Sequence, residues 1–136
     1  MIIDTSALLS IYIPEKLSNF VRREVEKSES CYFLDLIFYE FPNAVRKRVV
    51  RDELSKEDGE KILGRGLDFV NLCKVASGNE LAMESYRIGL NYNLTTYDAS
   101  LIALAEKVND VILTTDEKLL SGVEGSELSK YFIFPQ

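Results

Sequence analysis

Apolar residues in this chain occur in short runs, separated by longer stretches in which they return every three or four positions. That alternation is expected of buried strands joined by amphipathic helices. Met1-Ile2-Ile3 is the first run, Cys31 to Leu34 the second, Val111-Ile112-Leu113 a later one, and Tyr131-Phe132-Ile133-Phe134 a terminal strand candidate. Lys74-Val75-Ala76 is shorter and reads either as a strand or as merely extended chain.

Between these runs the helical period is plain. Ala7-Leu8-Leu9 opens a short apolar segment punctuated by Pro14, which suits a first helical turn; Leu17, Phe20, Val21 and Val25 then recur at helical spacing, to an end near Ser28 to Ser30. Asp35 is placed to cap a helix over Leu36 to Arg51, whose apolar stripe is Phe38, Phe41, Val45 and Val49. Glu40, Asn43, Lys47 and Arg51 share another face of it. Pro42 lies inside this pattern, so the helix either starts late or bends just past Glu40, because an interior proline costs about 3 kcal/mol. Ser55 with Asp58 resembles a capping box ahead of Ile62, Leu63, Leu67 and Val70, with Gly64 and Gly66 weakening the middle of that helix. A further helix is expected from about Glu80 to Tyr92, and another after Thr95. Strands alternating with helices imply a parallel sheet covered on both faces, an α/β architecture formed by one domain over residues 1–136.

Composition narrows the chemistry. With 46% hydrophobic and 28% charged residues in 136, the chain is an ordinary globular protein. No apolar run approaches the roughly 20 residues of a membrane span and no basic-then-apolar signal opens the chain, so the expected compartment is the cytoplasm. Cys31 and Cys73 lack CxxC spacing and read as buried small hydrophobes; a disulfide is the weaker alternative. There are 0 histidines. Serine–histidine and cysteine–histidine nucleophiles, histidine-ligated zinc and histidine bases are thereby excluded. A net charge of −6 argues against a protein that coats nucleic acid non-specifically. It leaves room for a nuclease whose acidic pocket meets phosphate through a divalent cation.

Four carboxylates carry the candidate chemistry. Asp4 ends the first strand and Asp116 follows Val111-Leu113; each also reads as a plain helix cap. Asp98 stands three residues after Thr95, matching a capping pattern. On a helical wheel it lies within about 60° of Leu101, at the margin of the apolar face, where burial is costly unless the charge is paired or binds a cation. Glu40 has a solvated face with Lys47 as salt-bridge partner for its simplest explanation. Jointly, two acids end parallel strands and two occupy neighbouring helices at the same end of such a sheet, where open α/β folds bind ligands. Hard oxygen donors of this kind suit Mg²⁺ or Mn²⁺ and phosphodiester hydrolysis.

IIDTSALL at the start, then YEFPNAVRK, TTYDASLIALAE and VILTTDEKL resemble, in order, the four motif regions of the PIN-domain nucleases. The branch they most resemble is the VapC-type toxins of prokaryotic toxin–antitoxin pairs. The resemblance places the family's four acids at Asp4, Glu40, Asp98 and Asp116, and its supporting polar residues at Thr5, Ser6, Asn43 and Thr114. It implies a three-layer α/β/α fold, Mg²⁺- or Mn²⁺-dependent RNA cleavage, a homodimer, and a small antitoxin that inserts into the acidic groove. Lys47 and Arg51, on the face of Glu40, are the expected RNA-phosphate contacts. Pro42 departs from the family's pattern next to the glutamate. The alternatives are a weak or inactive RNA- or protein-binding module of the same fold, and an RNA-processing nuclease outside any toxin–antitoxin pair. A phosphorylation-controlled receiver domain fits poorly, since Thr5 and Ser6 follow Asp4 where adjacent acids are usual.

Overall fold

The computed structural model describes residues 1–136. Four parallel strands, β1 (Ile2–Ile3), β2 (Tyr32–Leu34), β3 (Lys74–Ala76) and β4 (Ile112–Leu113), form one sheet in the order β3-β2-β1-β4. The strands are very short, yet their side chains alternate strictly between two cores. Ile2, Leu34 and Ile112 enter one, and Ile3, Phe33 and Leu113 enter the other. A sheet with both faces apolar needs helices on both, which gives three layers.

On one face lie α1 (Thr5–Tyr12), α2 (Ser18–Lys27), α3 (Ile37–Val50) and α4 (Lys56–Leu72), contributing Leu8, Val21, Phe41 and Val70 to the core. On the other lie α5 (Gly78–Tyr92), α6 (Thr96–Val108) and α7 (Glu117–Val123), contributing Leu81, Ile88, Ile102 and Leu104. The chain runs outward from β1 to β2 and β3, then returns through α5 and α6 to place β4 on the other side of β1. Register pairs Ile2 with Ile112 and Ile3 with Leu113. The residues just beyond these two strands, Asp4 and Thr114, therefore lie side by side at the switch point of the sheet.

Several local expectations need correction. Pro14 precedes its helix rather than opening it, since α2 begins at Ser18. Asp35 does not cap α3; its carboxylate accepts the Gly78 N–H at 2.8 Å, fixing the start of α5. In α3 the buried positions are Ile37, Phe41 and Val45, while Phe38 is 40% exposed, so the apolar stripe is turned toward Ile37. The helix does not start late: Glu40 N–H already reaches Leu36 O at 2.9 Å, and the helix continues through Pro42 to Val50. Gly66 sits mid-helix in α4 because a Cβ there would come within 2.3 Å of the Phe41 ring. It is the close-approach point of α3 and α4. The terminal run is a 3-10 turn, Glu127–Tyr131, followed by a single parallel bridge between Phe132 and Ile112 rather than a fifth strand. Cys31 and Cys73 are joined in a disulfide between the start of β2 and the end of α4, so the two thiols are not independent buried groups. No helix is long and apolar enough to cross a membrane.

Candidate functional site

Asp4, immediately after β1, is the N-cap of α1 and anchors a polar network. One carboxylate oxygen accepts the Ala7 N–H at 2.9 Å and the Ser6 hydroxyl at 2.8 Å; the other accepts the Thr114 hydroxyl. Ser6 Oγ in turn accepts Thr115 N–H at 3.0 Å, and Thr114 Oγ1 accepts Asp116 N–H at 3.0 Å. Each hydroxyl has a single proton, and both are directed at Asp4, so Ser6 and Thr114 orient one carboxylate while tying β1 to the loop after β4. Thr114 is fully buried. Despite these bonds, burial pushes the Asp4 carboxyl up to about 6, with Asp116 adding to the effect.

The other three acids reach the same cavity from separate elements. Asp116 is the N-cap of α7, accepting Leu119 N–H at 3.1 Å. Asp98 lies in the first turn of α6, whose N-cap Thr95 accepts Asp98 N–H at 3.2 Å. Burial, then the Asp116 charge, raise the Asp98 carboxyl, against the Thr95 hydroxyl and Lys118. Glu40 lies in the first turn of α3 and accepts the Thr5 hydroxyl at 3.0 Å. Desolvation and the charge of Asp98 raise it, the Thr5 bond opposing. All four line one cavity of about 300 Å³. Capping and site roles coincide at Asp4 and Asp116, while Asp98 and Glu40 cap nothing; all four sit at the N-terminal end of their own helices, where the backbone dipole offsets part of the repulsion among four carboxylates. No three of them approach closely enough, as they lie, to enclose an ion.

A second cavity, of about 270 Å³, shares Thr5, Leu9, Glu40 and Ala44 with the first and is otherwise lined by Asn43, Lys47, Arg48 and Arg51. The face expected on α3 is thus a wall continuous with the acidic site. Lys47 and Arg51 take part in none of the molecule's ion pairs, so Lys47 does not neutralise Glu40. Arg48, missed in the sequence, is held by Glu15 and, at 3.3 Å, by Glu53, and it closes the far side. Asn43 Oδ1 accepts from Arg46 at 3.1 Å. Tyr97 was also missed: it lines the acidic cavity, 63% exposed, and the signal available was its place directly before Asp98.

The fold and this acidic cavity at its switch point define a class. The sequence matches the PIN domain family over residues 1–124. The chain belongs to that family. It is 32% identical over 119 residues to Ribonuclease VapC3 of Pyrobaculum aerophilum, an alignment covering 88% of this chain and 91% of that protein. The crystal structure of PAE2754 from the same organism superposes with a TM-score of 0.64 at 25% identity, covering 92% of this chain and 80% of the other.

Proposed function

We propose that this chain is a divalent-cation-dependent ribonuclease and the toxin of a toxin–antitoxin pair. The observation that carries the nuclease reading is the junction of the two cavities: four carboxylates from four elements open directly onto a wall bearing two unpaired cations. The similarity to Ribonuclease VapC3 supports RNA as substrate and the toxin role. A small antitoxin protein, a homodimer, a cytoplasmic site of action and a single acting domain over residues 1–136 belong to the same proposal.

In this reading Asp4, Asp98, Asp116 and Glu40 hold Mg²⁺ or Mn²⁺. The donor set fits such an ion. It is all-oxygen, its charges lack cationic partners inside the cavity, and three of its members are raised above their ordinary values by burial and by one another. Mg²⁺ keeps several waters and needs only one or two direct carboxylates, so a cavity whose acids stand apart suits a hydrated ion. A bound divalent cation would supply acidity to water and offset the charge that builds on phosphate oxygens. Ser6 and Thr114 fix Asp4, and Thr5 fixes Glu40. Lys47 and Arg51 hold backbone phosphates beside the scissile one, with Asn43 between them and the acids.

Hydrolysis of a tRNA and mRNA panel in Mg²⁺ or Mn²⁺, and its loss in excess EDTA, is the expected result for protein freed of any co-purified partner. Full activity in EDTA would overturn the cation dependence. Binding without cleavage in either ion would favour the alternative of an inactive RNA-binding module. Replacing Lys47 and Arg51 together by alanine should weaken RNA binding at low salt and flatten its salt dependence by up to about two in slope. An unchanged slope would make these side chains a solvated helix face.

A further inference from the structure

The acidic cavity has a second neighbour. A third cavity, of about 330 Å³, opens between α5, α6 and the end of β2; it shares Leu34 and Tyr97 with the acidic one and no lining residue with the recess of the α3 cations. The three form a row: a cation-lined recess, the carboxylates, and a recess whose walls include Leu34, Leu36, Leu81 and Ala82. Tyr97 lines both the acidic cavity and the recess between α5 and α6. It occupies the first turn of α6, and its carbonyl accepts the Ser100 hydroxyl at 2.6 Å, which secures the backbone that carries it. The ring is 63% exposed, and none of the molecule's aromatic pairs or cation–π contacts uses its faces.

A large aromatic with open faces, held next to a candidate hydrolytic site, has an energetic cost in water that a ligand can relieve. The chemistry across the row is directional. Cations on one side attract phosphate and cannot discriminate bases. An aromatic face above a recess that combines Leu34, Leu36, Leu81 and Ala82 with the carboxylate of Asp35 and the hydroxyls of Thr96 and Ser100 suits a nucleobase, and it carries no cation for a phosphate. Bases are available for such stacking only where they are unpaired.

We propose that Tyr97 is the stacking platform for the unpaired nucleobase flanking the scissile phosphate, which it directs toward the recess between α5 and α6, while Lys47 and Arg51 hold the backbone on the other side. The substrate is then held by backbone contacts from α3 and by a base contact from α6. This rests on the ribonuclease reading for its substrate class, and its test separates the two.

The probe is a single-stranded RNA dodecamer carrying 2-aminopurine at one position, read by fluorescence quenching in Ca²⁺ or EDTA, so that no turnover is required. Wild type and Tyr97→Phe should quench the probe and bind alike. Tyr97→Ala should lose the quenching and bind roughly tenfold more weakly. In Mg²⁺ or Mn²⁺, Tyr97→Ala should raise KM by a similar factor while leaving kcat within about twofold. An abasic nucleotide at the quenched position should abolish the difference between wild type and Tyr97→Ala. RNA that is bound and cut equally well by Tyr97→Ala would overturn the platform and leave the ribonuclease reading standing. Absence of any RNA binding by wild type would overturn both. A KM effect of Tyr97→Ala that persists on the abasic RNA would also overturn it, because the ring would then act on something other than the base.

Discussion

Reducing the Cys31–Cys73 disulfide should lower the unfolding free energy by about 4 kcal/mol, the chain-entropy value for a cross-link closing a loop of 42 residues. The melting temperature should fall by an amount on the order of 10 °C. The bond ties the start of β2 to the segment entering β3, the edge strand, and the loop it closes contains α3 and α4. Without it, the unfolded chain regains freedom while the native contacts between α3 and α4 remain, including the Phe41 ring against Gly66. The effect on activity should be small. Cys31 lies at the amino end of β2, whereas the four acids lie beyond the carboxyl ends of β1 and β4 or on helices above them. Thermal melts of wild type with and without reductant, beside the double variant Cys31→Ala with Cys73→Ala, test this. A reductant-induced change below about 1 kcal/mol would show that the cross-link does not restrain the unfolded chain. Loss of RNA cleavage at a temperature where the reduced protein is still folded would show that the cross-link also positions the site.

The disulfide illustrates what sequence patterning could not reach. Two cysteines 42 positions apart pair only if β2 and β3 are adjacent and parallel in register, with Tyr32 opposite Lys74. Neither local spacing nor composition carries that information. The strands themselves were legible because Ile2-Ile3, Phe33-Leu34 and Ile112-Leu113 are apolar on both faces, as a sheet between two helical layers demands. The terminal run failed for the same reason inverted: Tyr131 to Phe134 is apolar, but only Phe132 is buried, and one bridge to Ile112 is all the sheet edge accepts. Phe38 was misplaced because the period alone does not say which edge of a wide apolar stripe packs, and Ile37, Phe41 and Val45 take the buried face; Asp35 was misplaced because α3 begins with an unaided cap at Leu36. The aspartate that looked like its cap is drawn away by Gly78, a contact 43 residues distant.

Within the candidate site, Asp4, Asp98 and Asp116 were visible as acids at helix starts that either cap or converge, and Glu40 as an acid on a helix face that either pairs with Lys47 or joins them. Asp4 and Asp116 do both and Asp98 and Glu40 only converge, because the N-terminal ends of α1, α3, α6 and α7 point into one cavity while Thr95 and Leu36 occupy the other two cap positions. Tyr97 and Arg48 stayed hidden, since an exposed tyrosine and an arginine next to Lys47 have no periodic signature. Their significance depends on which cavities adjoin.

Asp98→Asn should abolish cleavage and, in EDTA near neutral pH, stabilise the protein by about 1 kcal/mol. Asp98 lies partly buried, raised first by that burial and then by the charge of Asp116, and its own charge raises Glu40. Neutralising it removes both costs. Against this stands the loss of a first-turn anion from α6, worth a few tenths of a kcal/mol where exposed. The Thr95 cap remains, since it accepts from the backbone N–H of residue 98 rather than from its side chain. In Mg²⁺ the order should reverse, because wild type gains binding free energy that the variant lacks. The pH dependence supplies an internal control through Asp4. Its folded pKa of about 6 exceeds the free value of 3.8, so between these values the folded protein holds the proton more tightly than the unfolded chain. Metal-free stability attributable to Asp4 is therefore fully present below about pH 4 and is lost as pH rises through 6, by at most about 3 kcal/mol. Burial is the largest cause of that shift, and the one charge that adds to it is Asp116 rather than Asp98. A decline from pH 4 to 6 should persist in Asp98→Asn but be shallower, the two curves meeting at the acid end, where Asp98 is protonated in wild type, and separating as pH rises; saturating Mg²⁺ should flatten the wild-type decline by holding Asp4 ionised. Melts of both proteins across pH 4 to 8, in EDTA and in Mg²⁺, measure all of these at once. An Asp98→Asn protein that melts below wild type in EDTA and still cuts RNA would make Asp98 a first-turn anion of α6 and nothing more.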